Sequence, residues 1–157
     1  MSQFNKPRDS RQQQGGKPST DRAPAAKIDI DLSDIDLAKP SAALFDTTAE
    51  RIAKTIAASE IRNGNKASQL RGFYDEIVSW EQRCRNLSDA DFAAQLPLIR
   101  MINAKVAYAK GRDLVDENFF QLMRHCLGKI TDKATLRNCK LFIEAFMGFY
   151  KVHKDKN

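Results

Sequence analysis

Residues 68–84 read SQLRGFYDEIVSWEQRC. Leu70, Phe73, Ile77, Trp80 and Cys84 recur at alternating intervals of three and four, the spacing that places side chains on one stripe of an α-helix. No period-two alternation runs through them, so this is not a strand. The spacing predicts a helix from about Ser68 with a buried seam along one side.

The flanking sequence repeats the pattern. Upstream, Thr47 and Glu50 have capping-box spacing, followed by the apolar stripe Ala49, Ile52, Ala53, Ile56 and Ala57, with Arg62, Asn63, Gly64 and Asn65 as a stop signal. Downstream, Ser88 with Asp91 caps a third segment, in which Pro97 predicts a break or kink around Gln95–Leu96. The pattern resumes through Leu98, Ile99, Ile102, Val106 and Ala109 and stops at Gly111. A fourth helix is expected from about Asp113 to Leu127, burying Val115, Phe119, Leu122 and Cys126. A fifth begins near Thr131 or Asp132 and buries Leu136, Cys139, Ile143, Phe146 and Tyr150. No run from Ser41 onward reads as a strand and no internal repeat is visible. Residues 41–157 are therefore expected to form a compact all-α bundle of five to six helices.

Residues 1–40 have a different composition. Through Lys27 the chain is rich in Gln, Gly, Pro and Ser, holds six basic and two acidic residues, and has Phe4 as its one large apolar side chain. Such a segment buries too little surface to offset backbone ordering and is expected to be a disordered tail. In IDIDLSDIDL, residues 28–37, four Asp nearly alternate with aliphatic residues. Alternation suits a strand, yet no partner strand is apparent. Two readings stand: a solvated acidic linker, or a short docking segment or decoy that covers a basic surface when nucleic acid is absent.

The length of 157 residues fits one domain, and 26 Lys and Arg against 20 Asp and Glu leave a net charge of +6 and a pI near 9.3. That balance favours a polyanionic partner. No stretch reaches the roughly 20 apolar residues of a membrane span, and no apolar run follows the first Met as in a secretory signal. Three cysteines without scaffold spacing point to a reducing compartment, with the cytoplasm as the expectation.

Catalytic chemistry is scarcely represented. There is no Gly-rich phosphate loop, G-x-S-x-G elbow or H-E-x-x-H pair. Zinc through His125, Cys126 and Cys139 needs two crossing helices, and adjacent His125 and Cys126 diverge by about 100° on a helix. Glu76 with Glu81, or Asp116 with Glu117, has only proximity to recommend it as an acid–base pair. Neither an enzyme, a metal site nor a cofactor is expected.

Binding chemistry is better represented. Lys105, Tyr108 and Arg112 follow one another at intervals of three and four, a cationic stripe containing an aromatic, with Arg100 and Lys110 beside it. Arg71 lies off the seam of its helix next to Phe73 and Tyr74, and Lys66 stands at the entry to that helix. Single-stranded nucleic acid is commonly held by such sets, cations along the phosphates and an aromatic face for a base. Spacing alone also allows a core-edge tyrosine among solubilising charges. Phe142, Phe146, Phe149 and Tyr150 cover more of the last helix than one stripe needs, so that helix is either central in its bundle or partly a subunit contact. Lys140 and Glu144 read as a solvent-facing pair without a function.

Three segments together resemble the small helical subunit of type III-A CRISPR–Cas effector complexes. They are SQLRGFYDEIVSWE (residues 68–81), PLIRMINAKVAYAKGR (97–112) and LRNCKLFIEAFMGFYK (136–151), in the family's order, and the likeness covers roughly residues 50–151. The resemblance implies a non-catalytic subunit that stacks with copies of itself beside the backbone and large subunits and helps cradle guide RNA paired with target RNA. It makes Arg71, Lys105, Tyr108 and Arg112 the best RNA-facing candidates, and Phe73 and Tyr74 residues that hold their helix in place. The alternative is a protein-only scaffold whose positive charge is incidental. The first 40 residues fall outside the likeness.

Overall fold

In the computed structural model, which describes residues 29–59 and 61–156, a single π-type turn, Leu44–Thr48, leads into helix α1, Ala49–Ala57. Then follow α2, Ala67–Cys84; α3, Asp89–Arg100; α4, Ile102–Gly111; α5, Glu117–Gly128; and α6, Lys133–Lys154. No strand occurs among the described residues. The all-α bundle expected from periodicity is the observed architecture.

Helix α6 is its spine. Its 22 residues span about 33 Å, and it packs along both α1 and α2, while α4 packs on α5. Phe142, Phe146 and Tyr150 are each fully buried, so the aromatic helix is central, with Phe149 half-buried at its edge. Rings continue from α2 through α5 to α6: Phe73, Phe119, Phe146 and Tyr150 stand at successive centroid distances of 6.0, 6.2 and 5.6 Å. The α2 seam is buried at Leu70, Phe73, Ile77 and Cys84, with Trp80 half-buried at its margin.

The chain ends of these helices follow local chemistry with three exceptions. Ser88 Oγ accepts the Asp91 N–H (3.1 Å), and Asp132 with Thr135 forms a full capping box. The Asp132 carboxyl is held below its ordinary range by the Thr135 backbone and hydroxyl bonds. By contrast, the expected Thr47–Glu50 box does not form, because the π-type turn starts the helical path a turn earlier. Thr48 donates its hydroxyl to Asp34 (3.0 Å) and Glu50 meets His153 (3.1 Å) instead. The break expected at Gln95–Leu96 falls at Met101. Pro97 stays inside α3, and the ladder tightens one turn later, where the Met101 N–H bonds the Leu98 carbonyl. Helix α5 starts at Glu117 rather than Asp113, because Asp113 has φ 57°, which a right-handed helix excludes; Asp116 caps it through the Phe119 N–H (2.8 Å).

Asn65 joins three parts of the bundle. With φ 51° it is fully buried; its N–H donates to the Leu114 carbonyl and its Oδ1 accepts from the Asp116 N–H, both at 2.9 Å. Its carbonyl accepts from the Tyr150 hydroxyl, whose pKa burial pushes up to about 12, so the phenol remains a donor.

The boundary expected at Ser41 is corrected. Residues 29–40 are non-helical but packed, with Ile35 and Leu37 buried and Ile30 and Leu32 half-buried against the core. A turn at Ser33–Asp34, closed by the Ile35 N–H on the Leu32 carbonyl, resets the alternation, so that all four Asp remain exposed on both sides of it. The partner strand that the alternation lacks is replaced by side chains. Asn118 accepts the Asp29 N–H (3.1 Å), His125 Nε2 lies 3.3 Å from the Ile35 carbonyl, and Asn138 donates to the Leu37 carbonyl (2.9 Å). Arg51 reaches both the Asp31 carbonyl and the Asp34 carboxylate. The solvated-linker reading therefore fails for this stretch. The expected disorder of the first 27 residues lies outside the described residues.

Candidate nucleic-acid interface

Helix α4 buries Ile102, Val106 and Ala109, which turns Lys105, Tyr108 and Arg112 outward as their spacing requires. Tyr108 is 68% exposed, and the Arg112 guanidinium lies over its ring at 5.6 Å from the centroid. Exposed Leu98 and Met101 continue the same face backward through the break. Arg112 has no acidic partner among the described residues.

The other cations expected on this stripe are engaged within the chain. Lys105 forms an ion pair with Glu76 of α2. Lys110 pairs with Glu117 and lies 4.9 Å from the Phe120 centroid. Burial works to raise the Glu117 carboxyl, but hydrogen bonds from Gln121 and Lys110 hold it below its ordinary range. Arg100 donates to the carbonyls of Ile130 (3.0 Å) and Gly128 (3.4 Å), completing the end of α5. Lys66 is exposed at the start of α2, where its carbonyl accepts the first helical bonds.

Arg71 lies on a different face. Five helical residues separate it from Glu76, about 140° of rotation, so the side of α2 that serves α4 is not the side that carries Arg71. It stands at a groove between α2 and α6 with Tyr74, Glu144 and Lys151. Its ion pair with Asp75 is long, 3.9 Å, and both side chains are largely exposed.

Along the other half of the α2–α6 junction are cations to which the sequence reading gives no function: Lys140 it pairs with Glu144, and Arg85, Lys133 and Arg137 it does not single out. Arg85, Lys133, Arg137 and Lys140 surround the far ends of the two helices. Arg85 holds the buried Glu81 at 2.7 Å, and its hydrogen bonds keep that carboxyl below its ordinary range against the opposing pull of burial. Lys133 donates to the Leu87 carbonyl (2.7 Å), and Lys140 pairs with Glu144 (3.2 Å). Arg137 has no ion pair among the described residues. The signal was available: residues 133, 137, 140, 144, 148 and 151 share one side of α6 at intervals of three and four. Its aromatics drew the reading to the other side.

Among the described residues no group of three or more His, Cys, Asp or Glu is placed to hold a metal ion. Cys126 and Cys139 are buried, and their contact raises the Cys126 thiol far above its ordinary range, while His125 is turned to the Ile35 carbonyl. No helix among the described residues is long and apolar enough to cross a membrane.

The family model described as Csm2 Type III-A matches residues 39–156. The chain belongs to that family. It is accordingly a Csm2-type small subunit of type III-A CRISPR complexes. The Csm2 match takes in all six α-helices, both cationic surfaces and Asn65, and it begins after most of the packed segment 29–40. No curated protein and no solved structure matches the chain.

Proposed function

We propose that this Csm2-type subunit is a non-catalytic RNA-holding part of its effector, contacting guide RNA paired with target RNA and stacking with copies of itself beside the backbone and large subunits. The observation that carries the reading is the exposed Tyr108–Arg112 pair: an aromatic face with a guanidinium over it and, among the described residues, no carboxylate to neutralise the charge. Backbone recognition of this kind needs cations and stacking surfaces, without base-edge contacts. A role without catalysis suits a surface of isolated cations and phenols. Three free, buried cysteines suit a cytoplasmic, reducing setting.

The test is the double variant Tyr108→Ala, Arg112→Ala in the assembled effector. Both side chains are exposed, so thermal stability is expected to stay within a degree or two of the parent, while target-RNA affinity falls about tenfold and its salt dependence weakens. Unchanged RNA affinity overturns the assignment of RNA contact to α4. A protein-only scaffold is the second reading, favoured by the internal engagement of Lys105, Lys110 and Arg100 and by the exposed Leu98 and Met101. Photocrosslinking from thiouridine-labelled guide RNA to residues 98–112 separates the two.

A further inference from the structure

Gly148 stands in the interior of α6, where glycine costs stability relative to alanine. Nothing about its position explains the choice. Its φ is not positive, and an added Cβ would meet no atom within 4 Å. It forms the floor of an open groove of about 550 Å³, walled by Tyr74 of α2 and Met147 of α6 and rimmed by Arg71, Lys151 and Glu144. That volume lies within the range of about 300–1,000 Å³ of small-molecule sites.

The rim is chemically uneven in an informative way. Among the described residues Arg71 and Lys151 are tied only to exposed carboxylates one helical turn along, Asp75 at 3.9 Å and Asp155, just past the end of α6, at 3.0 Å. Solvent-exposed pairs of this kind are held weakly, and both cations are available to an anion. Glu144 is the lone carboxylate of the lining, and it repels phosphate but accepts a hydroxyl or amino proton. Burial, followed by Glu144, raises the Tyr74 phenol above its ordinary range, so it stays a neutral ring and a donor.

We propose that this groove is a nucleotide subsite that takes one unpaired nucleotide of an RNA strand. The base lies over Gly148 between Tyr74 and Met147, the flanking phosphates meet Arg71 and Lys151, and the ribose hydroxyl meets Glu144. The inference rests on the reading of the chain as an RNA-contacting subunit, but it assigns the contact to a face other than that of Tyr108 and Arg112.

Fluorescence anisotropy of the full chain with an end-labelled oligoadenylate decamer tests it, using Gly148→Glu, which fills the groove with a side chain and a negative charge. The expected result is a loss of RNA affinity of about tenfold, with a melting temperature equal to or above the parent's. The pair Arg71→Ala, Lys151→Ala is expected to fail in the same direction with a shallower salt dependence. The deoxy decamer is expected to bind the parent several-fold more weakly than the RNA. Parent-like RNA binding by Gly148→Glu overturns the proposal, as does release of that variant from the assembled effector with RNA binding intact, which assigns the groove to a protein neighbour. Adenosine monophosphate binding as tightly as the decamer overturns the strand assignment in favour of a free nucleotide. If Gly148→Glu fails and the Tyr108–Arg112 variant does not, the groove stands and the α4 reading falls; the reverse outcome does the opposite.

Discussion

Helices α4 and α6 carry cations at the same three- and four-residue spacing, and the two sets have come to different uses. Opposite α4 stand carboxylates: Glu76 from α2 takes Lys105, and Glu117 from α5 takes Lys110. Opposite the cations of α6 stand further cations, Arg71 of α2 and Arg85 just past its end, with Glu81 of α2 and Glu144 of α6 among them. Spacing establishes which residues share a face. The element across from that face determines whether the charge is neutralised within the chain or left for a polyanion.

That contrast is open to attack, beginning with the largest effect. Arg100→Ala removes a guanidinium that serves the carbonyls of Gly128 and Ile130 at the end of α5 and is expected to destabilise the chain by about 1 kcal/mol while leaving RNA affinity unchanged. Urea unfolding and anisotropy on the same sample measure both, and a drop in RNA affinity would return Arg100 to the interface.

Arg85→Ala is next, with a smaller effect because Arg85 is exposed and water can replace part of its bonding to Glu81. Glu81 titrates below its ordinary value in the folded chain, so its contribution is complete above about pH 4.3 and is lost as pH falls through the depressed folded value. The parent is therefore expected to outlast the variant in urea at pH 7, and the gap to close as pH falls below the ordinary carboxylate range. A gap independent of pH would mean that Arg85 acts by packing rather than by charge.

The smallest effect on stability is expected from Glu76→Gln, within about 0.5 kcal/mol, since the Lys105 end of the pair is largely exposed and Glu76 is only half-buried. It releases Lys105 on the Tyr108 side. RNA affinity at low salt is expected to rise on the order of threefold, and no change would indicate that α4 does not face the nucleic acid.

What is legible in the sequence follows the same division. The α2 seam, the Ser88 cap and the start of α6 near Asp132 are local patterns, and the chain realises them where the spacing places them. The bundle's spine is legible only in part: the aromatics of the last helix leave open a central place or a subunit contact, and the burial of Phe142, Phe146 and Tyr150 places it at the centre. The start of α5 is not, because the left-handed backbone of Asp113 is stabilised by the loop around Asn65, 48 residues earlier in the chain. The packed segment 29–40 is illegible for a related reason. Its backbone partners His125 and Asn138 stand 90 and 101 positions away from the carbonyls they meet. In the candidate interface, the orientation of Tyr108 is readable from periodicity, and the neutralisation of Lys105 and Lys110 is not, because Glu76 and Glu117 come from other helices.

The Ile35–Leu37 anchor bears on how the molecule is handled. Helical periodicity begins at Ser41 and the family match at Lys39, and a shortened version cut at either point loses two plugs from its outer wall. The vacated trough beside His125 and Asn138 is greasy and lined with unmet amide and imidazole groups, the kind of scar through which truncated chains clump. A shortened version that keeps the anchor has to retain the packed segment from Asp29 onward.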